Sequence, residues 1–228
     1  TGFKVNSGEY KLMGLAPYGN PIYVDKVKQL VDIKPDGTFR INHKYFNYAT
    51  GLTMTNTKFH KLFGQNPRNS NREKITQFHM DIAASIQNVT EEIMIKLSRS
   101  IRKEYNIKNL CLAGGVALNC VANGKILNEK IFDNIWIQPA AGDAGGSLGA
   151  ALALWYLENG NDRKINNSDM MKGSYLGNEY SQAEIESELK QIGANYETFD
   201  YESILNKTSD FLMKDKAIGW FQGRMEFG

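Results

Sequence analysis

The stretch CLAGGVALNC, residues 111–120, decides how this chain is read. A short apolar run, Asn109 to Ala113, meets two adjacent glycines and then passes into helix-forming sequence. Glycines at such a corner serve one of two ends. Either the backbone turns too sharply for a side chain, or something must approach the backbone closely. A strand that ends in glycines and hands over to a helix is a common phosphate cradle, because the first N–H groups of the helix point at the anion. A second corner, Ala141 to Gly149 (AGDAGGSLG), repeats the arrangement with a carboxylate, Asp143, in its middle. An acid so placed suits a metal ion held directly or through water. A lone Gly-Gly pair also serves helix packing, and neither corner fits G-x-x-x-x-G-K-[ST] or G-x-G-x-x-G, so P-loop and dinucleotide readings fail on pattern.

Working outward, residues 109–158 alternate strand, corner, helix, strand, corner, helix. The strands are 109–113, read as a buried run, and 134–138; the helices run from about 118 to 129 and from the second corner to about 158. This alternation predicts α/β architecture with helices on a mixed or parallel sheet. Before it, Ile75, Phe78, Ile82, Ile86, Val89, Ile93, Leu97 and Ile101 recur at spacings of three and four. That spacing predicts one face of a long amphipathic helix over 71–105, capped by Ser70 or Asn71. Phe78, Met80 and Met94 read as core. Val31 to Asn42 reads as two strands around Pro35-Asp36-Gly37, a turn with a mechanism. Residues 8–21 read as a loop and helical turn, 22–32 as a short helix, and 42–68 as loop with short helices. Past the second corner, polar residues 159–172 are the linker candidate. Ser181 and Glu184 form a capping-box pattern opening a helix; another helix covers about 201–214, and 216–221 reads as a strand.

The totals limit the function. There are 228 residues, with 27 basic against 25 acidic and a net charge of +2. That balance argues against a dedicated nucleic-acid surface. Only two cysteines are present, Cys111 and Cys120, too few for a secreted disulfide framework, so a cytoplasmic protein with reduced thiols is expected. No apolar run has the length of a membrane span. The chain opens on Thr1-Gly2-Phe3 without an initiator Met and closes on GRMEFG, so a piece of a longer protein is expected.

Five segments carry a resemblance: GFKVNSGEYKLMGLAPYGNP (2–21), LAGGVALNCVANGKI (112–126), IQPAAGDAGGSLGAAL (137–152), SYLGNEYS (174–181) and AIGWFQGRMEFG (217–228). In these the chain resembles the carbamoyltransferases of antibiotic biosynthesis and nodulation. The resemblance implies an actin-like ATPase (ribonuclease H-like) domain, of which residues 1–165 would be the later part. A linker at 166–172 and the start of a threonylcarbamoyl-adenylate-synthase-like α/β domain at 173–228 would follow. It implies an enzyme that moves a carbamoyl group from carbamoyl phosphate and ATP, through carbamoyl-adenylate, to a hydroxyl of a small-molecule acceptor, with Fe²⁺ or Mg²⁺ assisting.

Residue by residue, Glu9, Lys11 and Gly14 match a nucleotide-proximal loop. Gly114, Gly115 and Asn119 match the nucleotide-binding corner, Gly142 and Gly145 of the second corner are expected to bind the cofactor with them, and Asp143 matches the metal-binding aspartate. Arg224 and Glu226 match the opening of GRMEFGPRALG, near the carbamoyl-phosphate site. The family adds two histidines from an H-x-x-x-H motif. His43, His60 and His79 are not so spaced, so the metal site is expected to be incomplete and this piece inactive alone. His79, on the long helix, reads as a flanking or packing residue. No residue identifies itself as the catalytic base. A homodimer through the long helix is open. The competing readings are a sugar-kinase-like phosphotransferase and a nucleotide-binding module without chemistry.

Overall fold

The longest element is α4, Gln77–Tyr105, a helix of 29 residues. In the structure, a computed structural model describing residues 1–165 and 168–227, it starts six residues later than its apolar spacing predicts. Residues 71–76 are not helical, so neither Ser70 nor Asn71 caps it. Thr76 does: its N–H donates to His79 Nδ1 at 3.0 Å, and its hydroxyl meets the same nitrogen at 2.8 Å. The polar run before it is drawn into a turn instead, with Arg68 donating to the Glu73 carbonyl and Glu73 accepting from Asn69 N–H. Ile75 therefore precedes the helix. His79, expected to flank or pack, is buried and closes a capping box.

Phe78, Ile82, Ile86 and Ile93 of α4 pack against a core of Val27, Leu30, Val31, Tyr45, Phe63 and Val89. Ile101, the last of the predicted stripe, is exposed because the core ends before it. Besides α4, the core is supplied by α2 (Val24–Lys28), the antiparallel hairpin β1 (Val31–Ile33) and β2 (Phe39–Ile41), a 3₁₀ turn (His43–Tyr45) and α3 (Thr57–Phe63), while α1 (Glu9–Leu15) and a 3₁₀ turn (Ala16–Tyr18) lie against α4 outside it. The hairpin turn forms as the sequence predicts: Asp36 accepts from Thr38 N–H at 3.0 Å, and Gly37 has φ +88°. Lys28 and Lys96 both pair with Glu92, at 2.7 and 2.6 Å, tying α2 to α4.

Beyond α4, β3 (Asn109–Leu112) and β4 (Asn134–Ile137) pair in parallel, Leu110 beside Ile135 and Cys111 beside Trp136. The parallel expectation holds, but the strand is not a buried run. Leu110 and Leu112 are half-buried while Asn109 and Cys111 are exposed, since parallel sheets are buried when both faces carry a layer. Between the strands, a 3₁₀ turn (Gly115–Leu118) precedes α5 (Cys120–Asn128), which packs on α4.

Residues Thr1–Gly142 form one compact unit and Asp143–Gly228 a second. The second holds α6 (Gly145–Ala153), which runs on as a π-helical turn to Glu158, α7 (Gln182–Gln191) and α8 (Tyr201–Met213). Ser181 and Glu184 make the predicted capping box. The strand predicted at 216–221 is not formed, because a strand needs a partner to satisfy its backbone groups and no other strand lies in this unit among the described residues. Part of the 166–172 linker, Asn166 and Asn167, lies outside the described residues.

The capping box carries a pH dependence. Burial pushes the His79 imidazole below its usual value, with Arg68 adding to it and Glu73 opposing. The unfolded chain then binds the proton more readily, so this stability is complete above the unfolded His value of about 6.5 and is lost as pH falls through the folded one. Urea unfolding of His79→Gln, which can keep the cap, should show a shallower loss between neutral and mildly acid pH than the wild type. Equal pH profiles for the two would remove His79 as the titrating group.

Candidate functional site

The glycine corners meet at the carboxyl ends of β3 and β4. Gly114 N–H donates to the Ala141 carbonyl at 2.7 Å, and a Cβ built on Gly142 would sit 3.9 Å from the Gly115 Cα. Crevices at the carboxyl ends of parallel strands are where open α/β sheets bind ligands. Both corners hold costly backbone. Gly114 lies at φ 99°, ψ 162°, a region restricted to glycine, and Ala140 has φ 55°. A Cβ on Gly114 or Gly115 would meet no atom within 4 Å, so the space above the corner is open to a ligand. The N–H groups of Gly115 and Val116 have no acceptor among the described residues. The helix expected from about 118 forms as α5 from Cys120, preceded by the 3₁₀ turn, and Asn119 caps it by accepting from Ala122 N–H at 3.1 Å.

Asn119 is thus built into the fold. Its amide also pairs reciprocally with Gln87 of α4, at 2.9 and 3.1 Å. Gln87 donates in turn to Glu91 at 2.8 Å, and Glu91 pairs with Lys125 of α5. Asn123 donates to the Ala117 carbonyl at 2.7 Å, gripping the corner from α5. The spacing of Gln87 and Glu91, one turn apart on the polar edge of α4, is a signal that attention to the apolar stripe passes over.

The loop at 8–21, the other segment that the resemblance singles out, docks on the first turns of α4, just ahead of Gln87. Asp81 accepts from Asn20 N–H and from Gln77, each at 2.8 Å, and Tyr23 N–H donates to Ser85 at 3.0 Å. Glu9 begins α1 with its carboxylate turned back onto the Asn6 and Gly8 N–H groups, at 2.8 and 3.1 Å; backbone hydrogen bonds hold its pKa down. Lys11 is exposed, its ammonium 5.7 Å from the Tyr10 ring centroid, and Gly14 is exposed with open space at its Cα. A cleft of about 260 Å³ runs between the loop and α5, lined by Pro17, Gly19, Gln87, Glu91 and Val121 among others.

In the second unit, Asp143 is exposed, and its carboxylate has no hydrogen-bond partner among the described residues. Those residues hold no cluster of three metal-ligating side chains, so Asp143 is one donor rather than a site. Gly145 opens α6. Arg224 donates to the Gly177 carbonyl at 2.7 Å and pairs with Glu179 at 2.9 Å. Gly177 and Met225 join backbones at 2.8 Å, as do Ser174 and Phe227, so the SYLGNEYS and GRMEFG segments lie side by side with Glu226 between these rungs. Among the described residues, no helix is long and apolar enough to cross a membrane.

Comparison with known proteins adds the family. The model for the carbamoyltransferase N-terminus matches residues 1–152. Nodulation protein NolO of Bradyrhizobium diazoefficiens is 35% identical over 96% of this chain and 38% of its own length. Protein sll1178 of Synechocystis sp. is 58% identical over 100% of this chain and 37% of its own length, and protein MJ1058 of Methanocaldococcus jannaschii is 30% identical over 100% and 35%. The chain spans between 35% and 38% of the length of these relatives. The chain belongs to the carbamoyltransferase family.

Proposed function

We propose that this chain is part of an ATP-dependent O-carbamoyltransferase, in which a carbamoyl group passes from carbamoyl phosphate, by way of carbamoyl-adenylate, to a hydroxyl of a small acceptor. Residues 1–165 belong, on this reading, to an actin-like ATPase domain, and residues 173–228 open a domain that forms the adenylate. The observation that carries the reading is the junction of the two glycine corners at the strand ends, with open space above Gly114 and Gly115.

The chemistry suits the residues. In the transfer, the acceptor oxygen bonds to the carbamoyl carbon while the bond from that carbon to the adenylate oxygen breaks. AMP departs with the bonding pair, and the acceptor proton passes to a base. Negative charge on the departing phosphate is best met by fixed donors that need no reorganisation. The unengaged N–H groups of Gly115 and Val116 are such donors. A divalent metal, with Asp143 as one ligand, would neutralise further phosphate charge. Arg224, held by Glu179, would present a cation to carbamoyl phosphate in the second domain.

Calorimetric titration of ATP and ADP, with and without Fe²⁺ or Mg²⁺, tests this. The wild type should bind nucleotide and Gly115→Val should abolish it, because the side chain fills the space over the corner. Asp143→Ala should remove only the metal-dependent part. Equal ATP affinity for the wild type and Gly115→Val would refute the cradle.

A further inference from the structure

Polar side chains tie the first glycine corner to α4 and α5. Ala117 is buried beneath it, while Gly114, Gly115, Val116 and Leu118 are exposed. What reaches the corner from α4 is the Gln87–Asn119 amide pair, and behind Gln87 stands Glu91, which is only 5% exposed. We propose that Gln87, braced by the Glu91–Lys125 ion pair, is a positioning residue that sets the orientation of the Asn119 amide and thereby the placement of the nucleotide corner.

The bonding pattern leaves one orientation for each amide. Ala122 N–H needs an acceptor, so Asn119 Oδ1 must face it. The Glu91 carboxylate, engaged by Lys125, needs donors, so Gln87 Nε2 must face it. One Nε2 hydrogen then goes to Glu91 and the other to Asn119 Oδ1, while Gln87 Oε1 accepts from Asn119 Nδ2. A flip of either amide would set donor against donor or acceptor against acceptor. The second hydrogen of Asn119 Nδ2 has no acceptor among the described residues, which leaves it for a polar ligand such as a ribose hydroxyl or phosphate oxygen. Orientation is set along the network in order: the Lys125 ammonium holds Glu91, Glu91 fixes Gln87, and Gln87 fixes Asn119, the cap of α5. Gln87 and Glu91 also line the cleft that faces Pro17 and Gly19 of the other nucleotide-matching loop. They sit where both loops converge on α4.

The consequence for nucleotide rests on the proposed function; the positioning itself does not. Gln87→Met keeps the length of the side chain and deletes all three hydrogen bonds. In nucleotide-free protein, amide hydrogen exchange at Ala117, Asn119 and Ala122, the bonded amides of the corner, should become about tenfold faster in this variant, while the buried turns of α4 at residues 82–86 keep their wild-type protection. Unchanged exchange at the corner, or equal loosening of α4, would overturn the positioning role. ATP titration of the same variant should show affinity about tenfold weaker. Should the wild type itself bind no ATP, the nucleotide reading falls while the exchange result still decides the role of Gln87.

Discussion

Gly19→Ala should destabilise the first unit by about 3 kcal/mol, at the upper end of what overpacking costs. A Cβ at this position would overlap the Met80 carbonyl and lie 2.6 Å from Asp81 N, backbone atoms of α4 that cannot rotate away as a side chain can. The loop must lift. Lifting it stretches the bonds from Asn20 to Asp81, from Gln77 to the Tyr18 carbonyl and from Tyr23 to Ser85. Asp81 is only 7% exposed, so a lost donor leaves a buried carboxylate short of partners, which by itself costs about 1–3 kcal/mol. Gly14→Ala is the control. Its Cβ meets nothing within 4 Å, and it lies inside α1, where alanine is favoured over glycine by up to about 1 kcal/mol. Urea midpoints should move in opposite directions for the two variants. A shared direction would mean that the loop's approach to α4 does not limit stability. The displaced loop carries Glu9, Lys11 and Gly14 with it, so nucleotide affinity should fall in Gly19→Ala on the proposed reading.

Ile126→Ala should cost about 3 kcal/mol, within the usual span for emptying a large buried aliphatic site. Ile126 has 0% exposure and lies on α5, the helix that follows the glycine corner and packs on α4. The loss combines the transfer free energy of the removed carbons with the cavity they leave. Leu127, next along the helix, is 54% exposed, and Leu127→Ala should change stability by less than about 0.5 kcal/mol. Chemical denaturation that resolves the first unit separates the cases. A cost at Ile126 no larger than at Leu127 would show that α5 is not anchored through its buried face.

Most of the elements were legible in local pattern. The hairpin at Pro35-Asp36-Gly37, the capping box at Ser181 and Glu184 and the long amphipathic helix each follow from forces acting over a few residues. Where local reading failed, distance or competition was the cause. Ser70 and Asn71 are good caps in isolation, but Glu73 claims the backbone there and the Thr76–His79 pair starts the helix. Residues 216–221 have strand propensity but lack a partner. In the candidate site, the glycines of both corners announced themselves by composition, whereas Gln87, Glu91, Lys125 and Asp81 looked like ordinary solvated positions.

By itself, the amino-acid sequence determined the α/β alternation, the family motifs and the glycine corners, because helix period, turn chemistry and cap preference are properties of neighbouring residues. Only the tertiary structure decided that Gly114 and Ala141 join, that Gly19 lies against the backbone of α4, and that Asn119 is held by a side chain 32 positions away. Those contacts depend on how elements distant in the chain pack. Packing is set by the fit of whole surfaces, which no short stretch of residues encodes.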